Sequence, residues 1–168
     1  MVESKPASAS AAEFTHMVLP PDTNALGTIF GGRIMEWVDI GAAIVASRHC
    51  RMVAVTASMD ALHFISPIKL GDIVILKASI NFTHKTSMEV GVRVESEDPK
   101  TGQRHHTASA YLTFVALDDA GVPTAVPLIK SETSEEKRRF EAGRRRREER
   151  LKWRSQFGQR SLQSRGKR

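Results

Sequence analysis

Two adjacent glycines, Gly31 and Gly32, stand at the start of a long apolar stretch, where a helix is predicted to begin. The first N–H groups of a helix have no acceptor inside it, and the helix dipole favours negative charge beside them. Glycine has no side chain to keep a ligand away from this backbone. The pair is therefore a candidate for binding a carbonyl oxygen and for stabilising the oxyanion that forms when the carbonyl is attacked.

Asp39 lies in the same apolar stretch, seven residues after Gly32. At about 100° per residue, most of the side chains on its helix face are small. The face comprises Gly32, Met35, Ala42, Ala43 and Ala46. This leaves room beside the carboxylate, which can act as a general base on water, with direct nucleophilic attack as the less favoured alternative. Asn24 adds a short polar side chain in the preceding loop.

Each of these features also has an ordinary structural interpretation. A Gly-Gly pair before a helix is commonly only a turn. A single Asp in a helix commonly lies on a solvated edge, and Glu36 borders the same side. An Asn in a loop rich in Pro and Gly commonly stabilises the turn itself. No one of the three features is therefore sufficient to predict chemistry.

Other common catalytic and metal-binding patterns are missing from the sequence. It contains neither a G-x-S-x-G elbow nor a phosphate-binding G-x-x-x-x-G-K-[ST] loop. The six histidines have no metal-ligand spacing, so no metal site is predicted; they are His16, His49, His63, His84, His105 and His106. Cys50 is the single cysteine, which excludes an intrachain disulfide, favours a reducing compartment and predicts a buried structural role.

The net charge of +6 is unevenly distributed along the chain. Residues 1–129 carry a net −3, and residues 130–168 carry a net +9. An arginine-rich tail can bind a nucleic acid or an anionic surface. The opposing interpretation, which we favour, is a solvated and partly helical extension, because glutamates alternate with the arginines and aromatic residues are few. Binding of a polyanion would have to depend on this tail alone.

The pattern along the chain predicts an α+β fold. Residues 1–12 are predicted to be a disordered leader, residues 13–130 a single domain, and residues 131–168 a basic C-terminal extension. A short strand at 16–19 is followed by a buried helix at 33–47 and four long strands. The four strands are predicted at 51–60, 73–82, 88–97 and 104–117. Short connections favour an antiparallel sheet. With no secretory signal and no run long enough to span a bilayer, a cytoplasmic location is expected.

Three ordered segments of the sequence resemble one known family, the cytosolic type of hotdog-fold acyl-CoA hydrolases. The first holds Asp22-Thr23-Asn24, Gly27, the Ile29-Phe30-Gly31-Gly32 run and Met35 to Asp39. The second is Thr56 to Asp72, and the third is His84 to Val90. The resemblance covers roughly residues 13–128 and leaves out the tail.

The resemblance implies a long helix wrapped by a curved antiparallel sheet, and homodimers that usually assemble further into hexamers as trimers of dimers. It implies hydrolysis of acyl-CoA, in which coenzyme A is part of the substrate and no separate cofactor is needed. Asn24 and Asp39 correspond to the family's catalytic pair, which acts from opposite subunits. Lys85, Thr86 and Ser87, at a predicted strand entrance, are candidates for contacting coenzyme A.

Geometry agrees with a site shared between subunits. Gly32 and Asp39 are about 10 Å apart along a helix, so one thioester carbon can hardly lie beside both in a single chain. A dehydratase of the same fold, acting on enoyl or hydroxyacyl thioesters, is the alternative enzyme class. Such enzymes usually place a His at the helix, and no His lies between His16 and His49 here.

Overall fold

The structure is a computed structural model that describes residues 4–165, except for the side chains of Ala61 and of residues 156–165. Seven strands and two α-helices are found in this part of the chain. The strands are β1 Lys5–Pro6, β2 Ala12–Met17, β3 Val53–Phe64, β4 Ile73–His84, β5 Ser87–Glu97, β6 Arg104–Leu117 and β7 Ile129–Lys130. The helices are α1 Gly31–Cys50 and α2 Ser134–Arg165, and two short 3₁₀ turns lie at Ala7–Ala9 and Pro20–Asp22.

Five of the strands form one antiparallel sheet in the order β2-β4-β5-β6-β3, and α1 lies against its inner face. Alternation of side chains explains this packing. Along β5, Met88, Val90, Val92 and Val94 are buried in the core, while the residues between them face the outer side of the sheet. Because α1 contacts all five strands, the sheet wraps around it. The predicted α+β hotdog architecture is confirmed.

The predicted helix and strands are present, although most of them are longer than predicted. Helix α1 ends at Cys50 and is capped by Arg51, which takes a left-handed φ of 57° and donates its N–H to the Ser47 carbonyl. The predicted strand at 16–19 is instead β2, which ends at Met17 shortly before Pro20 and Pro21. Among the described residues, no helix is long and apolar enough to cross a membrane.

Part of the predicted disordered leader is folded onto the domain. Strand β1 pairs in parallel with β7, and the Lys5 ammonium donates to the His49 carbonyl at 3.0 Å. Ala7 and Ser10 are only 2% and 1% exposed. The prediction of disorder is therefore wrong for residues 5–12. Small Ser and Ala side chains reduce the apolar content that a composition argument relies on, yet their size lets this segment pack closely.

The C-terminal extension also packs on the domain rather than standing apart from it. Helix α2 lies on the outer face of the sheet, where Phe140 and Phe82 have ring centroids 4.9 Å apart. Gly143 is buried at this contact, and a Cβ here would lie only 2.8 Å from the Phe82 Cβ atom. The absence of a side chain therefore lets α2 approach the sheet closely. The described part of the extension is therefore a helix with one face against the sheet.

Candidate active site

The loop before α1 is fixed to the start of that helix. Asp22 accepts the Leu19 N–H at 2.9 Å and forms an ion pair with Arg33 at 3.0 Å. The Asp22 carbonyl accepts the Phe30 N–H at 2.8 Å. These contacts tie both ends of the loop to the first turn of α1, so the position of Asn24 is set by the helix.

Asn24 uses much of its amide group to shape the loop. Its Oδ1 accepts the Leu26 N–H at 2.9 Å, and its Nδ2 donates to Thr28 Oγ1 at 3.0 Å. Gly27 completes the turn with a φ of +72°. An asparagine amide has two N–H donors, so the second remains for another molecule. The ordinary turn interpretation thus holds for Asn24, and it leaves one N–H for chemistry.

Gly31 and Gly32 form the first two positions of α1, as predicted to within two residues. The Phe30 carbonyl accepts the N–H groups of Arg33 and Ile34. The N–H groups of Gly31 and Gly32 precede this first helical hydrogen bond, so the helix itself supplies no acceptor for them. A methyl group on Gly32 would lie 2.5 Å from the Phe30 ring, whereas one on Gly31 would meet Phe64 at an ordinary 3.5 Å.

Asp39 is held by a residue that the sequence analysis did not single out. Thr56 on β3 donates from Oγ1 to Asp39 Oδ1 at 2.8 Å. Asp39 is half-buried, at the boundary between the buried Ala42 and the exposed Ile40. No local pattern in the sequence marks Thr56, because its role depends on how closely β3 approaches α1.

One chain does not bring the predicted catalytic groups together. Asp39 lies about two helical turns beyond Gly32, or about 10 Å along the helix axis. The carboxylate instead opens toward β3. This strand lies at one edge of the sheet and pairs on that edge with no other strand within residues 4–165. Beside Asp39, two apolar side chains of α1 are exposed to solvent, with Met35 46% and Ile40 52% exposed.

An open groove of about 380 Å³ lies beside Gly31. Its lining is mostly apolar and consists of Thr28, Ile29, Gly31, Phe64, Ile65, Ser66, Pro67 and Ile68. A larger cavity of about 670 Å³ lies under α2 on the outer face of the sheet, on the side away from α1. Because the sheet separates that cavity from Asp39, the groove at Gly31 is the better candidate for substrate.

The part of the chain that contains Gly31, Asp39 and Thr56 matches a known protein family. The family model described as "Thioesterase superfamily" matches residues 26–103. An acyl-CoA thioester hydrolase of Bacillus subtilis, described as uncharacterized, is 47% identical over 122 residues, which are 73% of this chain and 71% of the relative. The chain belongs to the thioesterase superfamily.

Other similar thioesterases are either much longer than this chain or close to it in length. The cytosolic acyl coenzyme A thioester hydrolase of Homo sapiens is 38% identical over 145 residues, and the match spans 84% of this chain but only 38% of the human protein. An apo-hexameric acyl-CoA thioesterase of known structure is 44% identical with a TM-score of 0.87, covering 90% of this chain and 97% of the other.

A thioesterase of Staphylococcus aureus provides the most detailed comparison. This acyl-CoA hydrolase, solved with butyryl coenzyme A and coenzyme A, is 38% identical with a TM-score of 0.88, covering 93% of this chain and 95% of the other. It has also been solved with an Asn, an Asp or a Thr replaced by Ala. Those positions are separated by 15 and 17 residues, as Asn24, Asp39 and Thr56 are here.

Within one chain, the residues predicted to contact coenzyme A lie far from the other predicted site residues. Lys85, Thr86 and Ser87 form the β4–β5 turn, where the Lys85 carbonyl accepts the Val126 N–H. The adjacent Pro127 bonds to His49, at the end of α1 opposite Gly31. Helix α1 has 20 residues and is about 30 Å long, so this turn lies at the end of α1 opposite Gly31.

The remaining titratable side chains do not form a second candidate centre. Within residues 4–165, no three His, Cys, Asp or Glu side chains are close enough to hold a metal ion. Cys50 is buried and its thiol donates to the Met52 carbonyl, which agrees with the predicted structural role. Burial lowers the pKa of His49, which lies in the core at the end of α1.

Proposed function

We propose that this thioesterase hydrolyses acyl-CoA to a free carboxylic acid and coenzyme A, at sites formed between two subunits. The observation that carries the proposal is the Asp39–Thr56 pair. It presents a carboxylate on an open surface beside an unpaired edge strand, about 10 Å from the helix N-terminus that suits an oxyanion. A second chain is needed to bring a carboxylate and an N-terminus together.

In this mechanism the N–H groups of Gly31 and Gly32 bind the thioester oxygen. The partner's Asp39 accepts a proton from water as the water oxygen attacks the carbonyl carbon. The tetrahedral intermediate collapses and the carbon–sulfur bond breaks. The proton passes from the carboxylic acid of the partner's Asp39 to the leaving thiolate. The remaining N–H of Asn24 orients the water or the carbonyl.

Similarity to characterised relatives supports these assignments. The Staphylococcus aureus hydrolase is described with butyryl coenzyme A and coenzyme A, and its substituted Asn, Asp and Thr have the spacing of Asn24, Asp39 and Thr56. We extend to this chain the same substrate class, and we assign Asn24 and Asp39 as its catalytic pair, with Thr56 as the residue that positions Asp39.

Assembly follows from the exposed surface around β3. Antiparallel pairing of two β3 strands would bury Met35 and Ile40 and would join two sheets into one. Because related structures are described as hexameric, we propose a hexamer built as a trimer of such dimers. In this assembly the turn at Lys85, Thr86 and Ser87 contacts coenzyme A from a neighbouring subunit, with Lys85 facing its phosphates.

The test is an acyl-CoA panel with detection of free thiol. Asp39→Asn keeps the size and the hydrogen-bond acceptor of the side chain but removes the base, so turnover is expected to fall by at least about a hundredfold. Turnover close to wild type on every good substrate would exclude Asp39 as the base. Reversible hydration of an enoyl-CoA without release of thiol would instead indicate the dehydratase.

A subunit-mixing experiment tests whether the site is shared. Asn24→Ala and Asp39→Asn subunits are each expected to be nearly inactive as homodimers. A hybrid dimer carries one intact site, so mixing should restore activity to a fraction of the wild-type value. If verified exchange of subunits gives no recovery, each site lies within a single chain.

A further inference from the structure

Helix α2 crosses the outer face of the sheet along one row of residues. The strand register aligns Ser79, Gly91, Tyr111 and Ala61 side by side, on β4, β5, β6 and β3 respectively. A helix that follows this row runs at a steep angle to the strands and passes over four of them in turn. The contacts of α2 show that it does so.

Three arginines attach α2 along the row. Arg139 donates to Ser79 Oγ at 3.1 Å. Arg146 lies 3.6 Å from the centre of the Tyr111 ring, and Arg150 forms an ion pair with Asp60 on β3. The rise from Arg139 to Arg150 is about 16 Å, close to the roughly 14 Å that three strand spacings require.

The helix therefore reaches the edge of the sheet at Arg150 and continues beyond it. Strand β3 is the last strand of the sheet, and α2 extends a further 15 residues to Arg165. This length corresponds to about 22 Å, or more than four strand spacings. Residues 151–155 are all exposed in the single chain, as expected for a helix that has left the surface of its own sheet.

Exposed apolar side chains are present on both sides of this edge. Just past it, Leu151 is 43% exposed and Trp153 is 59% exposed. On the outer face of β3, Val53 is 65% exposed and Val55 is 41% exposed. An antiparallel pair of β3 strands centred on the exposed Ala57 sets residues 60 and 61 of one chain opposite residues 54 and 53 of the other.

We infer that the part of α2 beyond Arg150 lies across the partner's sheet and covers Val53 and Val55 of the partner subunit. This inference rests on the dimer of the proposed function. At about 100° per residue, Trp153 continues the helix face of Arg139, Arg146 and Arg150, so it loses its exposure against those two valines, while Leu151 lies at the side of the helix. The arginine-rich extension is accordingly a strap that holds together the two subunits that form each active site, and Arg139, Arg146 and Arg150 anchor it.

Cysteine crosslinking tests the strap independently of activity. In a Cys50→Ala background, the protein with Leu151→Cys and Val55→Cys is treated with a short bis-maleimide. We expect a covalent dimer, and also a covalent heterodimer when the two single variants are mixed and allowed to exchange. The matched control pairs Val55→Cys with Lys137→Cys, because Lys137 is exposed at the opposite end of α2 and should not crosslink.

Sedimentation of the same samples separates the outcomes. If the protein sediments as a dimer or a hexamer but Leu151→Cys and Val55→Cys do not crosslink, or if the Lys137 control crosslinks equally, the strap is excluded while the shared active site stands. If the untreated protein is a monomer, both proposals fail.

Truncation provides a second measurement. A chain that ends after Arg150 keeps its three anchors, and we expect its dimer to dissociate at a concentration higher by on the order of tenfold. Unchanged dissociation would overturn the inference.

Discussion

The hydroxyl of Thr56 donates a 2.8 Å hydrogen bond to Asp39 Oδ1, which links the middle of α1 to the edge strand β3. The bond orients the carboxylate and occupies one of its two oxygens. The other oxygen, Oδ2, is left to accept a proton from water. Because the bond lies at the surface where we propose that two subunits meet, the base is positioned by its own chain for a substrate held mainly by the other.

Replacing Thr56 should affect catalysis more than stability. We expect Thr56→Ala to lower kcat by roughly 10- to 100-fold, the usual effect of losing a residue that positions a reacting group. The Thr56 side chain is exposed in the single chain, so the fold of the chain should tolerate the substitution. The measurement is kcat and KM with a good acyl-CoA substrate.

Thr56→Ser is the matched control because it retains the hydroxyl. It should recover most of the kcat that the alanine variant loses. Equal losses in both variants would show that the Thr56 methyl group, and hence packing at β3, matters instead of the hydrogen bond.

The proposed role of the N–H groups at the start of α1 in binding the thioester oxygen can be tested by adding a methyl group beside them. Gly31→Ala is compatible with the fold because its Cβ would lie 3.5 Å from Phe64, and alanine is favoured over glycine within a helix. The methyl group narrows the groove beside the N–H groups, so we expect kcat/KM to fall by about tenfold while the urea midpoint stays level or rises. A variant with unchanged kcat/KM would place the carbonyl elsewhere.

Arg146 should stabilise the fold strongly through a buried ion pair. Glu89 is 2% exposed on the outer face of the sheet, and its carboxylate accepts hydrogen bonds from Arg146 at 2.6 and 3.1 Å. Removing the arginine leaves a buried carboxylate without its charge partner. Arg146→Met should therefore lower the free energy of unfolding by about 3–5 kcal/mol, measured by urea denaturation.

Two comparison variants show whether this loss comes from the buried charge. Arg144→Met removes an arginine from the same helix, but its pair with Glu141 is exposed and should contribute little to the free energy of unfolding. Adding Glu89→Gln to Arg146→Met should restore much of the stability. A double variant as unstable as Arg146→Met alone would mean that the arginine acts by packing on Tyr111.

The sequence predicts α1 and β3 to β6 because their apolar residues repeat with the period of a helix or a strand. Asp39 could be identified for a related reason, as a polar residue within an apolar helix. Thr56 could not, since its role depends on the distance between β3 and α1 and not on any local pattern. The family resemblance adds the pairing of Asn24 with Asp39, which spacing alone does not supply.

The two ends of the chain were harder to predict. Composition describes the tail as a charged segment, but it does not reveal that Arg146 pairs with a glutamate 57 residues away. The local clue was the spacing of Arg139, Gly143, Arg146 and Arg150, which places them on one helix face. Residues 5–12 depend similarly on distant partners, because Lys5 and Ser10 are held by His49.

His49 should make the folded protein sensitive to mild acid. Its ring is fully buried, with Nε2 3.1 Å from the Pro127 carbonyl and Nδ1 3.3 Å from Ser10 Oγ. Burial lowers the pKa of His49 below its usual 6.5, and the charge of Lys5 adds to the effect, although the hydrogen bond to Pro127 opposes it. Below pH 6.5 the unfolded chain therefore binds a proton that the folded chain excludes. The stabilising contribution of neutral His49 is present above pH 6.5 and is lost as the pH falls through the folded-state pKa.

The measurement is the free energy of unfolding as a function of pH, for wild type and His49→Gln. Glutamine can still donate to the Pro127 carbonyl but does not titrate, so the pH dependence below 6.5 should be shallower than in the wild type by at most about 1.4 kcal/mol per pH unit. Burial also lowers the pKa values of His16 and His84, which leaves a residual slope in both proteins. Parallel curves for wild type and His49→Gln would show that His49 binds its proton equally well in the folded and unfolded chains.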